Sequence, residues 1–176
     1  AKTDVSGQTR IDMPNEEGIC LSIYGEQGYG TMVKSGKYET KKFCDSLVEK
    51  SASVLRNLIF EKGISQLAYV PSLRSDVVKD FAIRLAAKLG IPCIDVFRKI
   101  AAKMQKEMEN SSFQCSNARK SFSLRDGTSL SGSILLVDDI VDSKWTLTVC
   151  GYLLRMAGAE HVYPYALACS SKKRAD

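Results

Sequence analysis

Apolar residues along the chain form two alternating patterns: short continuous runs, and longer stretches in which they recur three and four positions apart. The short runs predict strands, at 19–24, 66–70, 93–97, 133–137 and 162–168. The longer stretches predict amphipathic helices, at 43–62, 77–89 and 146–156. Strands and helices that alternate in this way predict a doubly wound, parallel-sheet α/β fold with right-handed crossovers.

A single domain accounts for these elements, as the length of 176 residues also suggests. Residues 1–18 are polar and are expected to form a flexible leader with little to pack, whereas 19–170 form the domain. Residues 171–176 form a basic tail. No internal repeat and no second domain are expected.

The run Ser133–Val137 is apolar without alternation, which is typical of a central parallel strand covered on both faces. Ligands of doubly wound sheets bind at the carboxyl ends of the strands. The candidate site is therefore expected at 70–75, from Phe97 onward and from Asp138 onward.

The composition argues against several classes of protein. No apolar run approaches the roughly 18 residues of a membrane helix, and the polar start of the chain has no secretory signal. The six cysteines are scattered without a CxxC pair and there is one histidine, so neither a zinc site nor a His-dependent triad is expected. Most of the cysteines lie in apolar stretches, which indicates small core residues of a reduced, cytoplasmic protein.

The formal charge of +5 indicates an anionic partner: a nucleic acid, an acidic membrane surface or a phosphorylated small molecule. Most of the excess lies in residues 98–123, with a net charge of +4, and in the tail 170–176, with +2. A charge spread for solubility is the alternative. The clustering favours a phosphorylated ligand, with DNA as the second candidate for the same basic segment.

The most informative segment follows the predicted central strand. Asp138 and Asp139 come directly after the apolar run, and a turn that contains Ser143 and Thr146 leads into the last predicted helix. A turn that runs into a helix N-terminus presents unpaired backbone N–H groups, which suit a phosphate. Carboxylates beside it suit sugar hydroxyls or a divalent metal carried by the same ligand. A ligand that combines phosphate, ribose and magnesium would satisfy all of these groups.

A Walker-B-like strand, or an ordinary turn at the end of a strand, is the alternative interpretation of four apolar residues followed by two acidic ones. A Walker B aspartate requires a P-loop elsewhere in the chain. The nearest candidate, Thr31–Lys37, lacks the first glycine and is followed by Tyr38 where Ser or Thr is required. The chain is therefore not expected to be a self-sufficient ATPase.

The segment Ile134–Thr146 resembles the phosphoribosyl-pyrophosphate (PRPP) binding motif of type I phosphoribosyltransferases. The resemblance implies that Asp138 and Asp139 contact the ribose hydroxyls and, through Mg-PRPP, act indirectly on the metal. It implies that the following turn binds the 5′-phosphate, through Asp142, Ser143, Lys144, Trp145 and Thr146. Asp142 matches a general acid/base candidate of purine-type members. Lys144 stands where the family usually has glycine, and a lysine there is strained if the position requires a positive φ.

Two further segments match this family. Ser72, Leu73 and Arg74 follow a predicted strand at the location of the pyrophosphate loop, where Arg74 could reach a diphosphate. A plain helix N-cap with a solvated arginine is the alternative. Residues 98–123 correspond to the mobile loop that closes over PRPP, with the candidate residues Gln105, Lys106, Asn117 and Arg119.

Five segments together resemble the phosphoribosyltransferase-like domain at the C-terminus of some bacterial RecQ-family ATP-dependent DNA helicases: Tyr24–Gly30, Gly36–Tyr38, Val70–Ser72, Gln105–Asn110 and Val137–Thr148. The resemblance covers roughly residues 20–170. It implies a parent protein that unwinds DNA in repair or recombination, with the motor outside this chain.

Two functions stay open from these residues. One is Mg²⁺-dependent transfer of a phosphoribosyl group from PRPP to a nitrogen nucleophile. The other is a non-catalytic regulatory or DNA-contacting module of the helicase. PRPP or a phosphorylated nucleoside is the expected ligand, no membrane partner is expected, and a homodimer is a possible assembly.

Overall fold

The computed structural model describes residues 13–100 and 119–170. The strands in these ranges are β1 Ile19–Ile23, β2 Ile64–Tyr69, β3 Cys93–Ile94, β4 Phe97–Lys99, β5 Phe122–Leu124, β6 Ser133–Val141 and β7 His161–Cys169. The helices are α1 Tyr29–Tyr38, α2 Asp45–Lys62, α3 Val77–Leu89 and α4 Trp145–Met156. None of these helices is long and apolar enough to cross a membrane.

Five strands form one sheet in the order β1-β7-β6-β2-β3, and all of its pairings are parallel. β6 lies at the centre, which confirms the prediction from its continuous apolar run. From β2 the chain passes through α3 to β3 on one side, whereas from β6 it passes through α4 to β7 on the other. The direction of winding therefore reverses between β2 and β6, and ligands of doubly wound sheets bind at such a switch point.

The two faces of the sheet are covered differently. On one face α2 and α3 pack together over a core in which the rings of Phe43 and Phe81 meet edge to face, 5.7 Å apart. On the other face α4 packs beside the antiparallel hairpin of β4 and β5, whose Phe97 and Phe122 are buried. α1, which the apolar pattern does not predict, joins the first layer through the buried Val33.

The segment 93–97, predicted as one strand, forms two short strands in different sheets. β3 pairs with β2, whereas β4 pairs with β5. The chain leaves the main sheet at Asp95, whose carboxylate pairs with the Arg125 guanidinium at 3.0 Å. The Arg125 N–H also donates to the Val96 carbonyl at 2.8 Å. These contacts direct the chain into the hairpin. The apolar pattern of the segment could not predict them, because Arg125 lies far away in the sequence.

The described part of the predicted leader, residues 13–18, is bonded to the domain. Asn15 donates from Nδ2 to the Leu147 carbonyl of α4 at 2.9 Å, and the Glu16 N–H donates to Val162 O at 2.9 Å. The Glu16 carboxylate also lies 2.8 Å from Nδ1 of His161. Four of these six residues are exposed, so hydrogen bonds rather than apolar burial hold the segment to the domain.

The cysteines are less buried than predicted. Cys150 is buried, Cys93 and Cys169 are half-buried, and Cys20 and Cys44 are exposed. These five described cysteines are free thiols, and Cys115 lies outside the described residues. Among the described cysteines, the prediction of small core residues is correct for Cys150 alone. Cys20 and Cys93 lie on edge strands, Cys169 is the last residue of β7, and Cys44 precedes α2, so packing covers each of them only in part.

Candidate functional site

The candidate site begins where β2 ends beside β6. The Val70 N–H donates to the Val137 carbonyl at 2.9 Å, and the pairing of β2 with β6 stops there. β6 continues to Val141 because β7 still pairs with it on the other side. Asp138 and Asp139, predicted to follow the strand, therefore belong to it, at the position where β2 turns away. The gap that this leaves lies at the switch point of the sheet.

Asp138 is the first member of the acidic pair, and it is buried. Its carboxylate oxygen Oδ1 accepts the Asp139 N–H at 2.8 Å. Burial, and secondly the charge of Asp138, raise the pKa of the Cys150 thiol of α4. Burial, and secondly the neighbouring charge of Asp139, raise the pKa of Asp138 to about 7. A carboxyl group held in this way accepts a hydrogen bond at neutral pH when ionised and donates one when protonated.

Asp139 is the member of the pair that contacts α1. Its Oδ2 lies 2.9 Å from the Lys37 ammonium of α1, and its Oδ1 accepts the Ile140 N–H at 2.7 Å. Asp139 is also buried, with 8% of its surface exposed. The two carboxyl groups interact with each other, and one of them already has a cationic partner.

The turn between β6 and α4 is exposed at Asp142 and Ser143. The Asp142 carboxylate accepts a hydrogen bond from the Ser170 hydroxyl at 2.8 Å. Lys144 has φ of 64° and ψ of −11°, so the position requires the left-handed conformation and the lysine is strained by roughly 1–2 kcal/mol. The departure from glycine therefore has the structural cost that the sequence predicted.

The N-terminus of α4 faces this turn. Its N-cap residue, Lys144, makes no side-chain capping hydrogen bond, and the first turn of the helix has no acidic residue. Trp145 and Thr146 are half-buried in that first turn, and Trp145 packs near Val149. The positive end of the helix dipole therefore faces the turn, and this arrangement suits an anion.

The loop after β2 lies on the other side of the gap. The Ser72 hydroxyl accepts the Arg74 N–H at 3.3 Å, and Leu73 is 57% exposed. The next hydroxyl, that of Ser75, accepts the Val77 N–H at 3.2 Å and so serves the N-terminus of α3. Ser75 thus supports the start of α3, whose N-cap residue is Asp76, whereas Ser72, Leu73 and Arg74 form an exposed loop ahead of the helix.

A cation-rich cleft of ≈ 390 Å³ opens beside this loop. Ser72 and Leu73 line it together with basic residues from α3 and the hairpin, namely Lys79, Arg98, Lys99 and Arg125. The Lys99 ammonium lies 5.3 Å from the centre of the Phe122 ring. On the cleft wall, burial and secondly the Asp95 charge raise the pKa of Tyr69 to about 12. Sequence reasoning missed Lys79, which belongs to no motif, whereas Lys99 lies in the basic segment 98–123.

The remaining predicted residues divide between described and undescribed parts of the chain. Gln105, Lys106 and Asn117 lie outside the described residues, and Arg119 is exposed just before β5. Lys37 was not predicted, although it lies in the quoted segment Gly36–Tyr38. In the two described ranges, no group of three or more His, Cys, Asp or Glu residues could hold a metal ion.

Comparisons with known proteins place this geometry in a known fold. No protein-family model and no curated protein matches the chain. A crystal structure of adenine phosphoribosyltransferase aligns with a TM-score of 0.52 and 20% identity, over 73% of this chain and 69% of that chain. The adenine phosphoribosyltransferase from Saccharomyces cerevisiae, complexed with D-2,5-dideoxy-2,5-imino-altritol 1,6-bisphosphate and adenine, aligns with a TM-score of 0.51 and 19% identity, over 72% of this chain and 67% of that chain.

The chain has the type I phosphoribosyltransferase fold. The five-stranded parallel sheet confirms the predicted fold class, including its doubly wound order about β6. At about one-fifth identity the likeness extends to the fold alone. What the site binds has to be argued from its own residues.

Proposed function

We propose that this chain binds a phosphorylated ribose, PRPP or a nucleotide, as its magnesium complex at residues 138–146. The observation that carries the proposal is the placement of two carboxylates and the N-terminus of α4 at the switch point between β2 and β6. Carboxylates cannot bind phosphate, and N–H groups alone cannot select a sugar. The combination fits a ligand that has both groups a few ångströms apart.

In this proposal the turn binds the 5′-phosphate. The N–H groups of the first turn of α4 donate to its oxygens, and the Ser143 and Thr146 hydroxyls add two further donors. The exposed Lys144 adds a positive charge at the start of the helix. The bisphosphate ligand of the similar yeast enzyme supports a phosphate-bearing ligand for this fold.

Asp138 and Asp139 accept hydrogen bonds from the ribose hydroxyls in this proposal. The diphosphate lies toward Ser72, Leu73, Arg74 and the cation-rich cleft. Mg²⁺ fits as an ion carried by the ligand, because oxygen atoms of the diphosphate and water can complete its octahedral shell. The carboxylates then act on the metal indirectly. When bound, the ion neutralises charge on the diphosphate.

The reaction that this arrangement supports is transfer of the phosphoribosyl group to a nitrogen nucleophile. The bond from the anomeric carbon to the nitrogen forms, the bond to the diphosphate oxygen breaks, and the diphosphate leaves with that electron pair. The chain's residues hold the sugar and stabilise the leaving charge. Asp142, on the exposed turn, takes the proton of the nucleophile. Asp142 already accepts the Ser170 hydroxyl, an observation that favours a non-catalytic binding module as the second candidate.

Calorimetry with Mg²⁺ and PRPP tests the binding function. We expect binding to the wild type and none to Asp138→Asn/Asp139→Asn. Glu61→Gln, which removes an exposed carboxylate at the end of α2, before the amino end of β2 and so away from the site, should bind as the wild type does. Absence of binding to the wild type would overturn the proposal. Pyrophosphate release with one of a panel of bases supports the transferase, whereas binding without release supports the regulatory module.

The finer proposal is that the chain belongs to a RecQ-type ATP-dependent DNA helicase. The five sequence segments quoted above support it, and the full-length gene tests it, because a helicase core should lie upstream. DNA contact through the basic residues of 98–123 predicts binding that falls steeply with salt. Unchanged binding after those residues are neutralised would count against it. The homodimer and the cytoplasmic location stay predictions, which sedimentation and cell fractionation can test.

A further inference from the structure

α1 sits unusually close to the rest of the fold. A Cβ atom on Gly30 would lie 2.0 Å from the Ile23 carbonyl oxygen, and one on Gly36 would lie 2.6 Å from Cδ1 of Phe43. Both distances are far below contact, so the first and last turns of α1 reach their positions only because these residues are glycines. α1 is therefore held against the end of β1 and against the segment that leads into α2.

The close approach of α1 to β1 and Phe43 places Lys37, in the last turn of the helix, beside Asp139 of the acidic pair. Its ammonium lies 2.9 Å from Asp139 Oδ2 and 5.9 Å from the centre of the Tyr38 ring. Lys41 donates to the Lys37 carbonyl at 3.3 Å and so supports the end of the helix. The Lys37 side chain is 32% exposed, whereas that of Asp139 is 10% exposed. The ammonium therefore stands at the mouth of the site.

The acidic residues at the end of β6 would repel a ligand that carries several phosphates. Asp138, Asp139 and Asp142 lie within one strand end and its turn, and each carboxylate repels a phosphate. Among the cations, Lys144 stands on the turn itself and Lys37 is the one that contacts the acidic pair. An ammonium carries three donors, and Asp139 takes one of them. Lys37 can thus neutralise Asp139 and still donate to a phosphate oxygen.

We propose that Lys37 is a specificity-determining residue: its charge allows the acidic pair to hold the ribose of a multiply phosphorylated ligand. The inference rests on the proposed function. Without Lys37 the sugar-binding carboxylate would face the ligand with its full charge. The penalty then grows with the number of phosphates, so PRPP should lose more affinity than ribose 5-phosphate.

The test compares Lys37→Met with Lys37→Arg, and uses Lys34→Met as a matched control. Lys34 lies in the same helix and is exposed. Calorimetry with Mg²⁺ measures the dissociation constants for PRPP and for ribose 5-phosphate. We expect Lys37→Met to weaken PRPP binding about tenfold and ribose 5-phosphate binding about two- to threefold, from one unit charge at close range. Lys37→Arg should stay within about twofold of the wild type, since it keeps the charge. Lys34→Met should match the wild type.

Equal losses for both ligands in Lys37→Met, or an unchanged PRPP constant, would overturn the inference. If the wild type binds neither ligand, the proposed function itself is wrong. If Lys37→Met does not fold, Lys37→Gln, which keeps a donor without the charge, should show the same preferential loss of PRPP.

Discussion

The burial of Asp138 should make stability depend on pH. The pKa of its carboxyl is about 7 in the folded chain, whereas an unfolded aspartate has a pKa of about 3.9. Below pH 4 both states keep the proton and burial of the charge costs nothing. Between pH 4 and 7 the unfolded chain releases the proton and the folded chain retains it, so stability falls as the pH rises. Above pH 7 the cost levels off at about 4 kcal/mol, because each pKa unit corresponds to about 1.4 kcal/mol.

Asp138→Asn removes this cost and keeps the oxygen that accepts the Asp139 N–H at 2.8 Å. We expect the variant to be more stable than the wild type by about 1–2 kcal/mol at pH 5 and by about 3–4 kcal/mol at pH 8. Urea unfolding, followed by the fluorescence of the single tryptophan, measures both differences. Asp142→Asn, at an exposed carboxylate, is the control and should show no comparable growth between the two pH values.

A variant that is less stable than the wild type at pH 8, or a difference that does not grow with pH, would refute this reasoning. The first result would mean that Asp138 is held in its ionised form by contacts stronger than the burial cost. The expected result has a functional counterpart, because Asp138→Asn should lose ribose binding while it gains stability. Buried charges of binding sites commonly trade stability for function in this way.

Three further substitutions test the packing around the site. Gly30→Ala should lower the free energy of unfolding by about 2–3 kcal/mol, because its Cβ would lie 2.0 Å from a backbone oxygen of β1. Lys34→Ala, the control in the same helix, should change it by less than about 0.5 kcal/mol. Thermal unfolding measures both variants. Gly151→Ala should destabilise the wild type, since the new Cβ would lie 1.7 Å from Asn15 Oδ1. In an Asn15→Gly background the same substitution should be neutral or stabilising. An equal loss of stability in both backgrounds would contradict the steric explanation. Lys144→Gly should raise the stability by about 0.5–1 kcal/mol by relieving the positive φ, and an unchanged melting temperature would argue against strain there.

The elements that the sequence predicts best are those whose signal is local. α3 has the predicted bounds, Val77–Leu89, and β6 lies at the centre as its apolar run predicts. The acidic pair was found because two carboxylates after four apolar residues form a compact motif. Its strand was predicted too short, because the pairing of Asp138 with Ala166 of β7 continues where the apolar pattern stops.

The features that escaped prediction depend on contacts between distant parts of the chain. α1 is rich in glycine, serine and lysine, so its pattern does not indicate a helix, and its position results from close approach to β1 and Phe43. The contact of Lys37 with Asp139 follows from that position alone. The bend at Asp95 likewise depends on Arg125. The apolar periodicity of one segment cannot predict a hydrogen bond or ion pair whose partner lies in another element.

The pairing of β1 with β7 has a consequence for how the chain folds during synthesis. β1 is the first described strand, yet its sheet neighbour among the described residues is β7, the last described strand, through pairs such as Ile19 with Tyr165. On the ribosome, β1 therefore emerges long before its partner, with its backbone edge open to wrong pairing. A four-stranded sheet can assemble first, and closure of a very long loop then adds β1 in a slow step. Because α1 is seated on the end of β1, Lys37 would reach the acidic pair only in that final step.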